Sequence, residues 1–413
     1  MQGGRCENGL RYALRRSGSA VAYCALSIRC GTRDEAGFHG GIAHFTEHTL
    51  FRGTARKSAT VIGSYLERLG GELNAYTTKE EIVLHATVLK EDLWKAARLL
   101  FELATEATFP DREIETERGV VLDEIISYKD NPAEDVYDRF EGLLFNGHPL
   151  EAPILGSLAS VKRITPEELR RFTARFFVPE RMAFTIVADI DEKLLEKKLI
   201  QLIDTVFPEA VPPAPSPTPS ASALFHPDAP AFEKTVDKRN HEVNAVLGSF
   251  APSLYETSDR ITAALLCNIL GGPATNSLLG RELREKNGWV YGVECTYTPY
   301  ADTGIAAISF GCDRQSLDPC LKAIERILGR ICSAPLSERA LKGARKQLLG
   351  QLAVASDNGE AQCLSMGKSL LSYGRVSSSS ETRAQIEAVT PEALRDMACR
   401  LFSPGKVSKL IYL

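Results

Sequence analysis

The chain has no apolar run long enough to cross a bilayer as a helix, which takes about 20 residues. No membrane partner is expected on that ground. It has no excess of positive charge either: 49 Lys and Arg against 53 Asp and Glu give a formal net charge of -4. Nucleic-acid binding needs clustered basic surface, so nucleic acid is not an expected partner. Cys-x-x-Cys pairs are absent and the 10 cysteines are scattered, which argues against a disulfide framework. Free thiols fit a reducing cytoplasm, the expected location, with a periplasmic or exported chain stripped of its leader as the other reading. Histidine is scarce, at 7 in 413 residues, so two imidazoles close together carry weight.

What is present is average for folded domains, with 44% hydrophobic and 25% charged residues. The length suits two domains of roughly 200 residues. Arg15 and Arg16, followed by the mostly apolar stretch Ser19 to Ile28, superficially copy a secretory leader. Gly31-Thr-Arg-Asp34 closes that stretch like a turn and no Ala-x-Ala site follows, so it is read as an early buried strand.

Alternating prolines from Phe207 to Ser220 deny helix and favour an extended connector. They divide the chain into an expected first domain, 1–207, a linker, 208–228, and a second domain, 229–413. The halves share a repeat. Thr165-Pro-Glu-Glu-Leu-Arg and Thr390-Pro-Glu-Ala-Leu-Arg each read as a Thr cap, Pro at the first helical position, an amphipathic helix and then a strand, Met182 to Ala188 or Val407 to Tyr412. In the first half, strand-like Val21 to Cys30, Glu72 to Tyr76 and Ile82 to Val88 are interleaved with helical Gly41 to Arg52, Ser58 to Leu69, Leu93 to Glu106 and Asp111 to Tyr128. The expected class is α+β: two duplicated domains, each a largely antiparallel sheet flanked by helices. No glycine-rich phosphate loop follows the first strand, which argues against a doubly wound parallel sheet. Ser377 to Ser380 reads as a polar loop.

The informative residues are His44-Phe-Thr-Glu-His48. Four residues is one helical turn, so His44 and His48 face the same way and can share one cation. Glu47 lies beside them and can act on a water at the metal without being a ligand, taking its proton and returning it to the leaving amine. A catalytic zinc wants three protein ligands, so a third must come from elsewhere. Glu117 and Glu124, two turns apart on one helix face, supply a candidate: one to bind metal, the other to orient it. His39, His85, His148, His226 and His241 are left as structural or surface residues.

In these residues the chain resembles the inverzincin metallopeptidases of the pitrilysin family, which includes insulin-degrading enzyme and mitochondrial processing peptidase. The likeness runs from Gly31-Thr-Arg-Asp-Glu35 through Gly41-Ile-Ala-His-Phe to Leu50-Phe-Arg-Gly-Thr54. It implies one half of a clamshell, Zn2+ as cofactor, Glu124 as third ligand and Glu117 as its supporting acid. It also implies that Asn74, Ala75 and Tyr76 form an edge strand onto which a peptide substrate adds. In the second half, Leu283-Arg284-Glu-Lys-Asn-Gly-Trp-Val-Tyr291 is similar to the family's Arg and Tyr pair, which contacts substrate. Because one chain carries both the zinc motif and Arg284 with Tyr291, a homodimer with composite sites is expected, or a heterodimer with a related subunit. The implied activity is a zinc endopeptidase acting on unfolded peptides; the rival is a non-catalytic peptide-binding or assembly subunit. The second domain has no histidine around Cys267 to Gly272 and should bind no zinc.

Overall fold

The structure is a computed structural model that describes residues 2–208, 224–225 and 230–413. Most of the expected linker, 208–228, and His226 lie outside the described residues. Eleven strands and fourteen α-helices are described. The strands are β1 (Gln2–Arg5), β2 (Arg11–Arg16), β3 (Val21–Ile28), β4 (Glu72–Thr77), β5 (Ile82–Leu89), β6 (Met182–Ala188), β7 (Glu233–Val236), β8 (Val243–Ala251), β9 (Val290–Pro299), β10 (Gly304–Cys312) and β11 (Ser408–Tyr412). In the first half the helices are α1 (Ile42–Leu50), α2 (Ala59–Tyr65), α3 (Leu93–Glu106), α4 (Asp111–Lys129), α5 (Pro132–Leu144), α6 (Leu158–Val161), α7 (Pro166–Phe176) and α8 (Glu192–Val206). In the second half they are α9 (Thr257–Gly271), α10 (Leu317–Ser333), α11 (Glu338–Ala355), α12 (Gly359–Tyr373), α13 (Ser379–Glu387) and α14 (Pro391–Phe402).

Two sheets result, ordered β1-β2-β6-β3-β5-β4 and β7-β11-β8-β10-β9. In each, one pair is parallel (β2 with β6, β7 with β11) and the pairs along β6-β3-β5-β4 and β11-β8-β10-β9 are antiparallel. Five strands of the first sheet thus recur in the same chain order and pairing in the second, as the repeated Thr-Pro helices suggested. Those helices begin as read: Thr165 accepts from Glu168 N–H at 3.2 Å and Thr390 from Ala393 N–H at 3.1 Å. Each leads into the inner strand, β6 or β11.

The compact units do not follow a single cut. Residues 1–127, 147–216 and 354–377 form the first, and 128–146, 217–353 and 378–413 the second. The swap is reciprocal. Helix α5, from the first half, packs on β8 and β11, while α12, its counterpart in the second half, packs on β3 and β6. Close approach explains the α12 seat: a Cβ on Gly367 would stand 2.4 Å from the Ser27 hydroxyl, and Cys363, Met366 and Leu370 pack against Ala25, Val83 and Val187 on this sheet face. The opposite face carries the main core of the unit, with Leu26, Ile28, Ile82 and Leu84 buried against α1 and α3 and Phe101 stacked on Phe184 at 4.8 Å.

Of the serine run at 377–380, read as a loop, Ser377 and Ser378 lie outside any helix, while Ser379 and Ser380 open α13. Ser378 accepts from Glu381 N–H at 3.1 Å while the Glu381 carboxylate accepts from Ser378 N–H at 2.7 Å. This reciprocal cap satisfies backbone donors that a loop would leave to water. The stretch Val21–Ile28 is a central strand, and Arg15 and Arg16 end β2. No helix among the described residues is long and apolar enough to cross a membrane.

Candidate metal centre

Helix α1 is almost wholly buried, with His44, Glu47 and Thr46 among its buried residues. Its start is set by Gly41, whose φ of 88° favours glycine, and a Cβ there would stand 2.7 Å from the Leu155 carbonyl. The Glu35 carboxylate caps the helix from outside, accepting from Gly41 N–H at 2.9 Å and Ala43 N–H at 3.0 Å. Burial pushes Glu35 up to about 7, against the pull of those two donors and of Lys79.

On this anchored helix the two histidine rings lie 4.5 Å apart. Glu124, from α4, reaches both: its Oε2 is 3.7 Å from His44 Nε2 and 3.4 Å from His48 Nε2. Among the described residues these three form the one cluster whose donor atoms all lie within 4.8 Å of one another. Zinc bonds of 2.0–2.2 Å at tetrahedral angles put ligand atoms about 3.4 Å apart, so the donor set and spacing fit that ion. The Glu124 side chain is 42% exposed and His44 8%, so the cluster is walled on the imidazole side and open on the carboxylate side.

Outer contacts orient these side chains. His48 Nδ1 stands 2.7 Å from Glu117 Oε1, which places the ring proton on Nδ1 and turns the Nε2 lone pair toward Glu124. Arg52 pairs with the other oxygen of Glu117. Glu47 Oε2 accepts from the Thr77 hydroxyl at 3.0 Å. Burial, and then the charge of His48, pull His44 down to about 3, so it is neutral at physiological pH, as a ligand must be. Burial also lowers His48, but the Glu117 hydrogen bond and the charges of Glu47 and Glu124 outweigh it and raise it overall. Burial raises Glu47.

Strand β4 ends its sheet, bonded on one edge to β5. Alternation sends Leu73, Ala75 and Thr77 to the α1 face and Asn74 and Tyr76 to the other, where the Tyr76 ring meets His85 at 6.2 Å. Arg284 and Tyr291 belong to the second unit. Arg284, on the helical turn Gly280–Lys286, is 60% exposed, and Tyr291, near the start of β9, donates to Asp313 at 3.3 Å. Among the described residues no hydrogen bond or ion pair joins Arg284 to Tyr291. Sequence reading passed over Arg52, Thr77 and Glu35. Arg52 had a signal, being one turn beyond His48; Thr77 and Glu35 are brought in by strand pairing and a turn.

Three of the other histidines have structural partners. His39 pairs with Glu168 at 2.8 Å, His85 with Glu360 at 3.0 Å, and His148 accepts from Leu150 N–H at 3.2 Å.

The second unit repeats the frame without the cluster. Arg118 in α4 donates to the Ile164 carbonyl at 2.9 Å, and Arg345 in α11 donates to that of Val389. These carbonyls immediately precede the caps Thr165 and Thr390, which aligns the two helices. Ala344 then stands for Glu117, and Gln351 for Glu124. Gln351 accepts from the Asn268 side chain of α9 at 2.8 Å.

Fold and site together define a duplicated α+β chain with a two-histidine, one-carboxylate centre in its first unit. The chain belongs to peptidase family M16: residues 11–158 match the model described as insulinase (peptidase family M16), and 163–348 that of the peptidase M16 inactive domain. It is 28% identical over 371 residues to an uncharacterized zinc protease of Streptomyces coelicolor, covering 89% of this chain and 80% of that one. To the uncharacterized zinc protease YmxG of Bacillus subtilis it is 26% identical over 408 residues, covering 98% and 97%. It is also 25% identical over 415 residues, 96% and 82%, to the mitochondrial cytochrome b-c1 complex subunit 1 of Bos taurus. A solved protease of Helicobacter pylori shares the fold at a TM-score of 0.87 and 18% identity, covering 100% and 99%.

Proposed function

We propose that this protein is a zinc endopeptidase that hydrolyses unfolded peptides or small polypeptides, with His44, His48 and Glu124 as metal ligands and Glu47 as general base. The observation that carries the reading is the convergence of those three donor sets within 4.8 Å. A buried carboxylate one helical step away strengthens it. Bound there, zinc would supply Lewis acidity and lower the pKa of water toward neutrality. Glu47, held by Thr77, takes a proton from the attacking water and passes it to the leaving nitrogen. Its raised proton affinity suits a group that must both accept and give. Glu117 holds His48 in the tautomer a ligand needs. The β4 edge beside α1 suits an extended peptide added as a further strand, lying along Asn74, Ala75 and Tyr76.

The test is Glu47→Gln. Turnover of an unstructured peptide should fall by about 10²–10⁴-fold, the range for a lost acid–base group, with one zinc per chain retained. Unchanged cleavage would refute the assigned base. A second reading, an assembly or peptide-binding subunit without catalysis, is favoured by the relative named as a cytochrome b-c1 complex subunit. Purified protein without stoichiometric zinc or chelator-sensitive cleavage would decide for it.

The active assembly is proposed to be a homodimer in which Arg284 and Tyr291 of one chain serve the zinc site of the other. Arg284→Ala and Glu47→Gln chains, each inactive alone, should regain activity when mixed. One member of the mixed pair would then combine an intact Glu47 with its partner's intact Arg284. No recovery on mixing would argue against shared sites.

A further inference from the structure

We propose that Arg52 is a positioning residue for the metal centre, acting through Glu117 to fix the ring and tautomer of His48. The proposal rests on the reading that this centre holds zinc. The Glu117 side chain is 3% exposed and has two oxygens to satisfy. One accepts from His48 Nδ1 at 2.7 Å; the other pairs with the Arg52 guanidinium. A buried carboxylate with one oxygen unpaired is costly, so loss of Arg52 frees Glu117 to turn toward water or another donor. His48 then loses its fixed acceptor. Both tautomers populate, and fewer rings present a lone pair at Nε2.

The duplicated unit argues that this relay is not a demand of the fold. Ala344 stands where α4 has Glu117, and after α9 the chain runs Gly272-Pro-Ala-Thr-Asn276 with no basic residue. The same five-strand order, helix order and Arg345 contact form there without either relay member. Arg52 and Glu117 therefore accompany the ligands rather than the architecture.

The experiment uses the full chain, freed of metal and titrated with zinc chloride alone against a chromophoric chelator. The His48 tautomer is read by nitrogen-15 NMR and folding by circular dichroism. Arg52→Gln should fold, bind zinc about 10–100-fold more weakly, the cost of losing an outer-sphere partner, and show a mixed His48 tautomer. Arg52→Lys should recover part of the affinity, since an ammonium keeps the charge but not the planar fork. Unchanged affinity and tautomer in Arg52→Gln would overturn the proposal. Should that variant not fold, Arg52→Met, which keeps the apolar stem, takes its place; failure of both to fold would make Arg52 a folding residue and also overturn it. Wild-type protein that binds no stoichiometric zinc would instead overturn the metal reading, and this inference with it.

Discussion

The two units share a five-strand frame and the same helix order, yet one holds two imidazoles and three carboxylates where the other joins Asn268 to Gln351 by one neutral hydrogen bond. Burying ionisable groups is expensive, and the second unit demonstrates that the frame closes without them. The cluster in the first unit is therefore not a demand of the frame.

Making the first unit like the second should have the largest effect. Glu124→Gln, the residue that Gln351 represents in the copy, is expected to weaken zinc binding by more than the roughly 10–100-fold of an outer-sphere loss, and to remove turnover with it. The reverse change, Gln351→Glu, should create no zinc site, because α9 has no histidine; metal analysis of both variants checks this. Next in size, zinc at a thousand times its Kd should raise unfolding free energy by about 4 kcal/mol. Chelation should reverse that gain, and Glu124→Gln should not show it at the same zinc concentration.

A third contrast is pH. His44 is held down to about 3 in the folded chain, against an ordinary 6.5. Below pH 6.5 the unfolded chain takes up a proton that folded His44 refuses, so this contribution, complete above 6.5, is lost as pH falls toward 3. In zinc-free protein His44 contributes a loss of up to about 1.4 kcal/mol per pH unit between pH 6.5 and 4.5, while Glu35, raised to about 7, contributes with the opposite sign there, so the His44 part is read as a difference between variants. His48, shifted upward, holds its proton more readily in the folded chain than in the unfolded one and contributes with the opposite sign at the upper edge of that window. His44→Asn should remove this contribution, so that in denaturant titrations the variant loses less stability than the wild type as pH falls; equal pH dependence of the two would place its origin elsewhere. The smallest effect belongs to the amide pair: Asn268→Ala should cost about 1 kcal/mol in unfolding titrations and leave zinc binding unchanged.

Much of this was legible beforehand because it depends on local periodicity. Met182–Ala188 and Leu93–Glu106 have the bounds their patterns gave, and the Thr-Pro caps announced both the helices and the duplication. The spacing of His44 and His48 is a property of one helical turn. Other features were hidden because their partners are remote in sequence. The helix start at Ser379 is one, because four serines look like loop throughout until the Glu381 carboxylate closes the cap on Ser378. The exchange of α5 and α12 left no mark in composition, since both are ordinary amphipathic helices.

By itself, the sequence determined which residues could ligate a metal and that the chain contains one architecture twice, since hydrophobic period, capping and residue spacing are carried by neighbours along the chain. Only the tertiary structure decided that Glu124 comes within 3.4 Å of His48 and that Glu117 is wedged between His48 and Arg52. Those contacts join segments some 70 residues apart, and packing alone sets such distances.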